Sequence, residues 1–310
     1  MLIRCVFNEG AAQATERLQK HLPNDVAEHL NVQYAASDPD AYFDVFWPET
    51  AAQSMQALPT VVWVHGGGWV SGSRKDLDSY AKILASRGFT VVSVGYSIAP
   101  EAKYPTPVRQ VNEALGFVTQ NAVRLHADAG KIFLAGDSAG AQIAAQEANL
   151  VSVPKYATDV GIVPAIERRQ LAGAVLFCGA YDAKLVKQEG LEWWFVHTVL
   201  WSYSGRKNFM KDSMFARMSV LDYVTGAFPP VFISAGNADP LEAQSRVFAQ
   251  KLTRLGVSVD ALFYPKHYAP ALGHEYQMNL DTDAGRLAPE QCVAFLKKES
   301  GESRNSLHDP

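Results

Sequence analysis

A serine flanked by glycines two positions away on either side is the residue of this chain best suited to covalent chemistry. Residues 136–140 read Gly-Asp-Ser-Ala-Gly, with the serine at Ser138. The apolar segment 131–135 before them favours a buried strand, and 141–148 after them contains good helix formers. A strand that passes into a helix through G-x-S-x-G predicts a nucleophile elbow, in which a strained serine projects its hydroxyl into a cleft. The pattern therefore predicts a nucleophile at Ser138.

A glycine-rich loop after another buried strand predicts backbone N–H groups that donate hydrogen bonds to an oxygen on which negative charge develops during the reaction. The apolar run 60–64 ends in a histidine and three glycines, residues 65–68. Glycine is costly in ordered structure, so three in succession indicate a backbone that approaches a ligand with its N–H groups turned inward. Acyl chemistry at a serine needs such donors, and losing one costs about 3–4 kcal/mol of barrier. We assign this oxyanion hole to the backbone N–H groups of Gly67, Gly68 and Ala139.

The serine needs a base that takes its proton, and a histidine held by an acid is the usual base. In proteins with this elbow the acid and then the histidine follow the serine along the chain. His274 is favoured because it lies in the loop after the last strand and Gly273 permits a sharp approach. The other histidines beyond the serine are less suited by their positions; they are His197, His267 and His308.

The acid is predicted at Asp239, which directly follows a strand and precedes His274 in the required order. Asp182 follows the preceding strand and is the runner-up. Of the other candidates, Asp260 lies inside a strand pattern, and Asp281 and Asp283 follow the histidine. An aspartate before a proline is by itself most often a turn former, so position and order carry this assignment.

Strands and helices alternate from residue 60 onward, which predicts one α/β domain over 1–310 with a mostly parallel sheet between helices. Residues 11–30 predict one or two short helices. Residues 183–225 are dense in large apolar groups without strand alternation, which predicts a helical insertion over the sheet. The polar end, 300–310, predicts a disordered tail.

The composition excludes several classes of function. The chain has 310 residues, 48% of them hydrophobic, and a formal charge of −4 with acidic and basic residues interspersed, which predicts neither a nucleic-acid surface nor a polybasic membrane anchor. The three cysteines lie far apart without a C-x-x-C pair, so no disulfide framework or zinc site is indicated. No apolar run reaches the roughly 20 residues of a spanning helix. We expect a cytoplasmic protein that needs no metal or organic cofactor.

Together the motifs resemble those of the hormone-sensitive-lipase-like branch of the α/β hydrolases. The resemblance covers about residues 58–298 and implies an α/β-hydrolase fold with a mostly parallel eight-stranded sheet and a helical cap from about 1–30 and 183–225. It also implies a serine carboxylesterase acting on short- to medium-chain esters. Homodimers are common in that family, and the sequence leaves a homodimer open. The motifs that carry the resemblance, in chain order, are 65–68, 96–101, 136–140, 239–241 and the loop at His274.

Several positions depart from the pattern of that family. Ser97 and Ile98 stand where Arg and Leu are usual, and Ala243 stands where an acidic residue is often found. The family's His-Gly-Phe reads His-Glu-Tyr here, with Glu275 in the place of the glycine. None of these departures removes a predicted catalytic group, but they leave the substrate open.

Aromatic residues near the predicted site suggest an apolar pocket for the acyl or alcohol part of a small-molecule ester. An amidase or arylformamidase on the same fold would share the chemistry and stays open. A non-catalytic small-molecule receptor is disfavoured, because such proteins usually lack a triad member and all three candidates are present here. The residues predicted to line the pocket are Trp69, Trp193, Trp194 and Phe195.

Overall fold

The computed structural model describes residues 2–54, 56–185 and 190–301. In these ranges one sheet contains eight strands, which lie side by side in the order β1-β2-β4-β3-β5-β6-β7-β8. The strands are β1 (Val26–Gln33), β2 (Tyr42–Pro48), β3 (Leu58–Val64), β4 (Thr90–Val94), β5 (Ala127–Asp137), β6 (Leu171–Phe177), β7 (Val231–Ala235) and β8 (Val259–Phe263). β2 is antiparallel to both β1 and β4, and the other neighbours are parallel. The predicted fold class is confirmed.

Helices cover both faces of this sheet, which explains why its central strands are apolar throughout. Successive side chains of a strand point to opposite faces. In the described residues the helices are α1 (Leu2–Gln19), α2 (Glu49–Ser54), α3 (Asp78–Ala85), α4 (Thr106–Gln120), α5 (Ala139–Ser152), α6 (Pro154–Val160), α7 (Gly190–Ser204), α8 (Glu242–Arg254) and α9 (Asp283–Glu299). Val62 and Val64 of β3 join the core beneath α4, α5 and α8, whereas Val61 and Trp63 join the core beneath α3 and α9.

The helical prediction for 11–30 is correct only in its first part. α1 ends at Gln19, and Val26–Gln33 forms the edge strand β1. β1 pairs with β2 through a register that shifts between His29 and Val32. Pairing with a neighbouring strand outweighed the local sequence preference here, as tertiary context commonly does. Of the predicted tail, residues 302–310 lie outside the described residues.

The segment 183–225 contains α7 and several short 3-10 turns. α7 meets α1 above the glycine-rich loop: the rings of Phe7 and Phe195 are 5.6 Å apart between centroids. A Cβ atom on Gly68 would lie 2.9 Å from the Phe7 ring and 3.6 Å from Val199. The two helices therefore close over the carboxyl edge of the sheet. None of the helices in the described ranges combines the length and apolar character that a membrane span requires.

Candidate active site

The turn between β5 and α5 holds Ser138 in a strained conformation. Its φ of 52° and ψ of −118° lie outside the usual regions for a residue with a side chain. A Cβ atom on Gly136 would stand 2.5 Å from the Gly140 carbonyl oxygen, and one on Gly140 would overlap the Val64 carbonyl. The glycines two positions either side of the serine are therefore required by close approach. The Ser138 N–H donates to Phe177 O at 2.8 Å, which fixes the turn to β6.

The structure brings Ser138, His274 and Asp239 together at the carboxyl edge of the sheet. Ser138 Oγ lies 2.9 Å from His274 Nε2, and His274 Nδ1 lies 3.0 Å from each carboxylate oxygen of Asp239. The Asp239 side chain is fully buried, whereas about a third of the His274 side chain is exposed. With Nδ1–H donating to the carboxylate, Nε2 is free to accept the proton of the serine hydroxyl.

Asn237, at the end of β7, fixes the loop that carries His274. Its side-chain oxygen accepts from Leu272 N at 2.8 Å, and its amide donates to Tyr268 O at 3.0 Å. The Ala238 N–H also donates to Leu272 O at 2.9 Å. These bonds tie the β8 loop to the turn that carries the acid, so the two partners share one rigid support. Sequence reasoning missed Asn237, because an asparagine in a turn is by itself unremarkable.

The glycine-rich loop after β3 has the backbone that its sequence predicts. Gly67 and Gly68 have φ of 99° and 61°, in the left-handed region that favours glycine. The hydrogen bonds found among the described residues include none donated by the N–H of Gly67, Gly68 or Ala139. Ala139 is the first residue of α5, where helix N–H groups have no partner within the helix. The three groups predicted as oxyanion donors thus remain available to a ligand.

His65 braces this loop from below. Its ring stacks on Tyr96 with 4.1 Å between centroids, and its Nδ1 lies 2.8 Å from the Gly66 carbonyl oxygen. The Tyr96 hydroxyl donates to the His65 carbonyl at 2.9 Å. Burial lowers the pKa of His65 to about 4, so the ring is neutral at physiological pH. His65 therefore supports the backbone of the glycine-rich loop.

A buried thiol lies beside the histidine and its acid. The side-chain ligand atoms of Cys178, Asp239 and His274 all lie within 4.8 Å of one another, and no other trio of potential metal ligands in the described ranges comes so close. Burial raises the pKa of the Cys178 thiol to about 11. Burial also disfavours the charged form of His274, but the hydrogen bond to Asp239 and the neighbouring Glu275 favour that form and raise the pKa of the imidazole well above its usual value.

Asp137 and Glu275 place two carboxyl groups beside the reacting atoms. Glu275 Oε1 lies 3.7 Å from His274 Nε2. Asp137 is 5% exposed and accepts from the Trp63 indole at 2.8 Å. Burial and then the neighbouring Glu275 raise the pKa of Asp137 to about 8. At neutral pH Asp137 is thus mostly protonated. Glu275 is a functional candidate whose only sequence signal was its departure from the family's glycine.

A cavity of about 170 Å³ opens on these groups between α1 and the glycine-rich loop. Phe7, Ala11 and Ala14 of α1 form its apolar side, and His274 stands at its catalytic end. A larger surface depression of about 810 Å³ lies at 206–214 on the cap, and it includes none of the three predicted catalytic side chains. The smaller cavity is therefore the candidate substrate site.

The predicted pocket aromatics do not line this cavity. Trp69 is buried, stacks on Tyr203 with 5.0 Å between centroids and donates its indole N–H to Gln142, so it packs the cap onto α5. Trp194 faces solvent with 60% exposure. Trp193 is half-buried against the main core. Phe195 reaches the cavity only through its contact with Phe7. These residues were expected in the pocket because they are large and apolar, but packing between helices determines where their side chains lie.

The alternative partners of the serine lie elsewhere. His267 is exposed on the β8 loop, and His197 packs between Trp193 and Phe209 in the cap. His308 lies outside the described residues. The carboxylate of Asp182 accepts a hydrogen bond from the Lys184 N–H at 2.9 Å and so stabilises the local turn.

Comparison with known proteins identifies the family and the fold of the chain. A family described as alpha/beta hydrolase fold matches residues 61–271. The carboxylesterase NlhH of Mycobacterium tuberculosis is 30% identical over 304 residues, which cover 94% of this chain and 90% of that protein. An acetyl esterase of Salmonella choleraesuis is 27% identical over 262 residues, which cover 79% of this chain and 75% of that protein. Esterase B from Lactobacillus rhamnosis shares the fold with a TM-score of 0.83 at 19% identity, over 97% of this chain and 96% of that one.

Proposed function

Since this chain belongs to the hormone-sensitive-lipase-like branch of the α/β hydrolases, we propose that it is a serine carboxylesterase that hydrolyses short- to medium-chain esters through an acyl-enzyme. The observation that carries the proposal is the position of His274, which stands 2.9 Å from Ser138 Oγ and 3.0 Å from the Asp239 carboxylate. Two relatives are named carboxylesterase and acetyl esterase, which supports the same reaction class.

In the proposed reaction Ser138 attacks the ester carbonyl while His274 takes its proton. Asp239 orients the imidazole and stabilises its charged form. His274 then gives the proton to the leaving alcohol, and a water activated by the same base hydrolyses the acyl-enzyme. The negative charge on the tetrahedral intermediate is bound by three backbone N–H groups, those of Gly67, Gly68 and Ala139.

The proposal limits the substrate by the size of the site. A cavity of about 170 Å³ accepts a small acyl or alcohol group but not a long chain in full. We expect a small-molecule ester as the partner and no nucleic acid, in keeping with the formal charge of −4. A cytoplasmic location and a homodimer are further expectations, which fractionation and sedimentation would measure.

Hydrolysis of p-nitrophenyl esters from acetate to palmitate tests the proposal. We expect kcat/KM to be highest for the short chains and to fall steeply once the chain exceeds the cavity. Ser138→Ala is the control for turnover at this site. A folded protein that turns over no ester would contradict the proposal, and so would an unchanged rate in the variant.

Matched p-nitroanilides separate an esterase from an amidase with the same catalytic groups. We expect p-nitrophenyl acetate to be hydrolysed far faster than p-nitroacetanilide, because an amine is the poorer leaving group. A higher kcat/KM for anilides would move the assignment to an amidase.

A further inference from the structure

Glu275, the residue after the proposed base, occupies a backbone conformation that its side chain disfavours. Its φ is 57°, in the left-handed region where a residue with a Cβ atom is strained and glycine is not. Strained residues of this kind cluster at ligand sites. The strain alone assigns nothing, so the argument depends on where the carboxylate lies.

The Glu275 carboxylate reaches the face of the histidine that meets the substrate. Its Oε1 lies 3.7 Å from His274 Nε2, and a Cβ atom on Gly66 would lie 3.1 Å from the same oxygen. The side chain is about a third exposed and lines the cavity of about 170 Å³. The carboxylate therefore stands between the proposed base and the loop of the oxyanion hole.

Three acidic side chains line the cavity, those of Asp76, Asp137 and Glu275, and Glu275 is the one whose carboxylate lies 3.7 Å from His274 Nε2. Burial and the neighbouring Glu275 raise the pKa of Asp137, which favours its neutral form. No lysine or arginine is among the described residues that line the cavity, and His274, which also lines it, is neutral when it takes the serine proton. Phe7 of α1 lines the same cavity with an aromatic ring, and rings of this kind attract cations. The charge and the ring together suit a positively charged group.

The position of Nε2 tells which part of the substrate would meet this charge. In serine hydrolysis the leaving oxygen must come within hydrogen-bond distance of Nε2 to receive its proton. A substituent two or three bonds beyond that oxygen then lies beside a carboxylate 3.7 Å from the same nitrogen. The alcohol part of the ester is the part that Glu275 can select.

We propose that Glu275 is a specificity-determining residue that favours esters whose alcohol carries an ammonium group, held in the cavity between the carboxylate and Phe7. The inference rests on the proposed esterase function and deepens it by naming a substrate class.

The test compares butyrylcholine with 3,3-dimethylbutyl butyrate, an ester of nearly the same shape without the charge. We expect a higher kcat/KM for the choline ester by roughly two- to fivefold, the range of a partly exposed charge pair. In Glu275→Gln and Glu275→Gly the ratio of the two rates falls to near one. Glycine suits the local backbone, so the second variant guards against misfolding. Glu290→Gln, an exposed change on α9, keeps the wild-type ratio.

Equal rates for the two esters in the wild type, or a preference that survives both Glu275 variants, would overturn the inference. Turnover of the neutral ester reports the esterase function separately from this ratio. If neither ester is hydrolysed, the proposed function fails, and calorimetric titration of choline into Ser138→Ala still reports the subsite. Binding there that weakens several-fold with Glu275→Gln supports it, and no binding contradicts it.

Discussion

The catalytic edge of the sheet and the cap above it are built in different ways. At the edge, short turns after β3, β5 and β7 place reacting groups through backbone contacts so close that glycine is required, as at Gly136 and Gly140. In the cap, α1 and α7 depend on side chains: Phe7 packs on Phe195, and Tyr203 stacks on Trp69. A backbone constraint allows one geometry, whereas packed side chains tolerate exchange.

The difference suggests that the edge of the sheet carries out the reaction and the cap selects the substrate. The edge fixes distances of about 3 Å between Ser138, His274 and Asp239, and small errors there are costly. The cap provides one wall of the cavity and can vary without moving the reacting atoms. We therefore expect changes at the edge to alter kcat strongly and changes in the cap to alter KM modestly.

The largest effect is expected for Ser138→Ala. Removing the nucleophile of a comparable site lowers kcat by about 10⁶-fold, with the oxyanion donors retaining residual activity. We expect a loss of roughly 10⁴- to 10⁶-fold in kcat for p-nitrophenyl acetate, with a thermal midpoint close to that of the wild type, because alanine keeps the Cβ atom and the turn around it. Retention of a tenth of the activity would refute the separation of roles.

Asn237→Ala tests whether activity depends on the hydrogen bonds that hold the His274 loop in place. Without the side chain that binds Leu272 N and Tyr268 O, the His274 loop loses its fixed position. A misplacement of about 1 Å costs on the order of 100-fold in rate, and we expect a decrease of that size in kcat with KM little changed. Asn112→Ala is the matched control, because Asn112 ties the equally remote Ala165 and Val163 to α4. Equal losses in both variants would assign Asn237 to stability alone.

Glu147 on α5 should make the free energy of unfolding depend measurably on pH. Neither of its buried carboxylate oxygens has a hydrogen-bond partner among the described residues, and burial raises its pKa to about 8. The folded state thus binds a proton that the unfolded state releases near pH 4.5, and stability falls as the pH rises from there to about 8. Between pH 6 and 8 this group removes about 2 kcal/mol from the free energy of unfolding.

Urea unfolding of Glu147→Gln at the two pH values measures this contribution. The variant should lose that share of the pH dependence and be the more stable protein at pH 8. A slope identical to that of the wild type would show that Glu147 does not carry the proton.

The smallest effect is expected for Phe7→Ala in the cap. The change removes one aromatic wall of the cavity and the contact with Phe195. Loss of an apolar contact of about 1 kcal/mol raises KM roughly fivefold, with kcat within a factor of about two. Trp194→Ala is the control, since this side chain is 60% exposed and should leave both constants unchanged. A loss of kcat in Phe7→Ala comparable with that of Asn237→Ala would break the distinction between the two regions.

The geometry at the carboxyl edge of the sheet could be predicted from the sequence better than the packing of α1 and α7, for the same physical reason. The glycines around Ser138 report a steric constraint that acts over a few residues, so it can be recognised locally. Asn237 bonds to groups about 30 residues away, and no local pattern marks it. Trp69 was expected in the pocket because it is large and apolar, yet its partners, Tyr203 and Gln142, are set by tertiary packing.

Two other outcomes follow the same rule. The apolar runs of the central strands predicted the parallel sheet, because burial on both faces leaves a strong local signal. The first part of the edge strand β1, residues 26–30, was expected as helix, since most of the β1 side chains are exposed and the pairing with β2 is a distant contact. Glu275 was visible as a departure from the family, but its distance of 3.7 Å to His274 Nε2 required the fold.

The most direct test of the central claim is to label the nucleophile. The protein is treated with diethyl p-nitrophenyl phosphate, and the adduct is located by peptide mass spectrometry while esterase activity is followed. We predict one diethylphosphoryl group per chain, on Ser138, formed in proportion to the loss of activity and absent from Asp239→Asn over the same time. Full loss of activity without label on Ser138, or full activity with Ser138 labelled, would contradict the account.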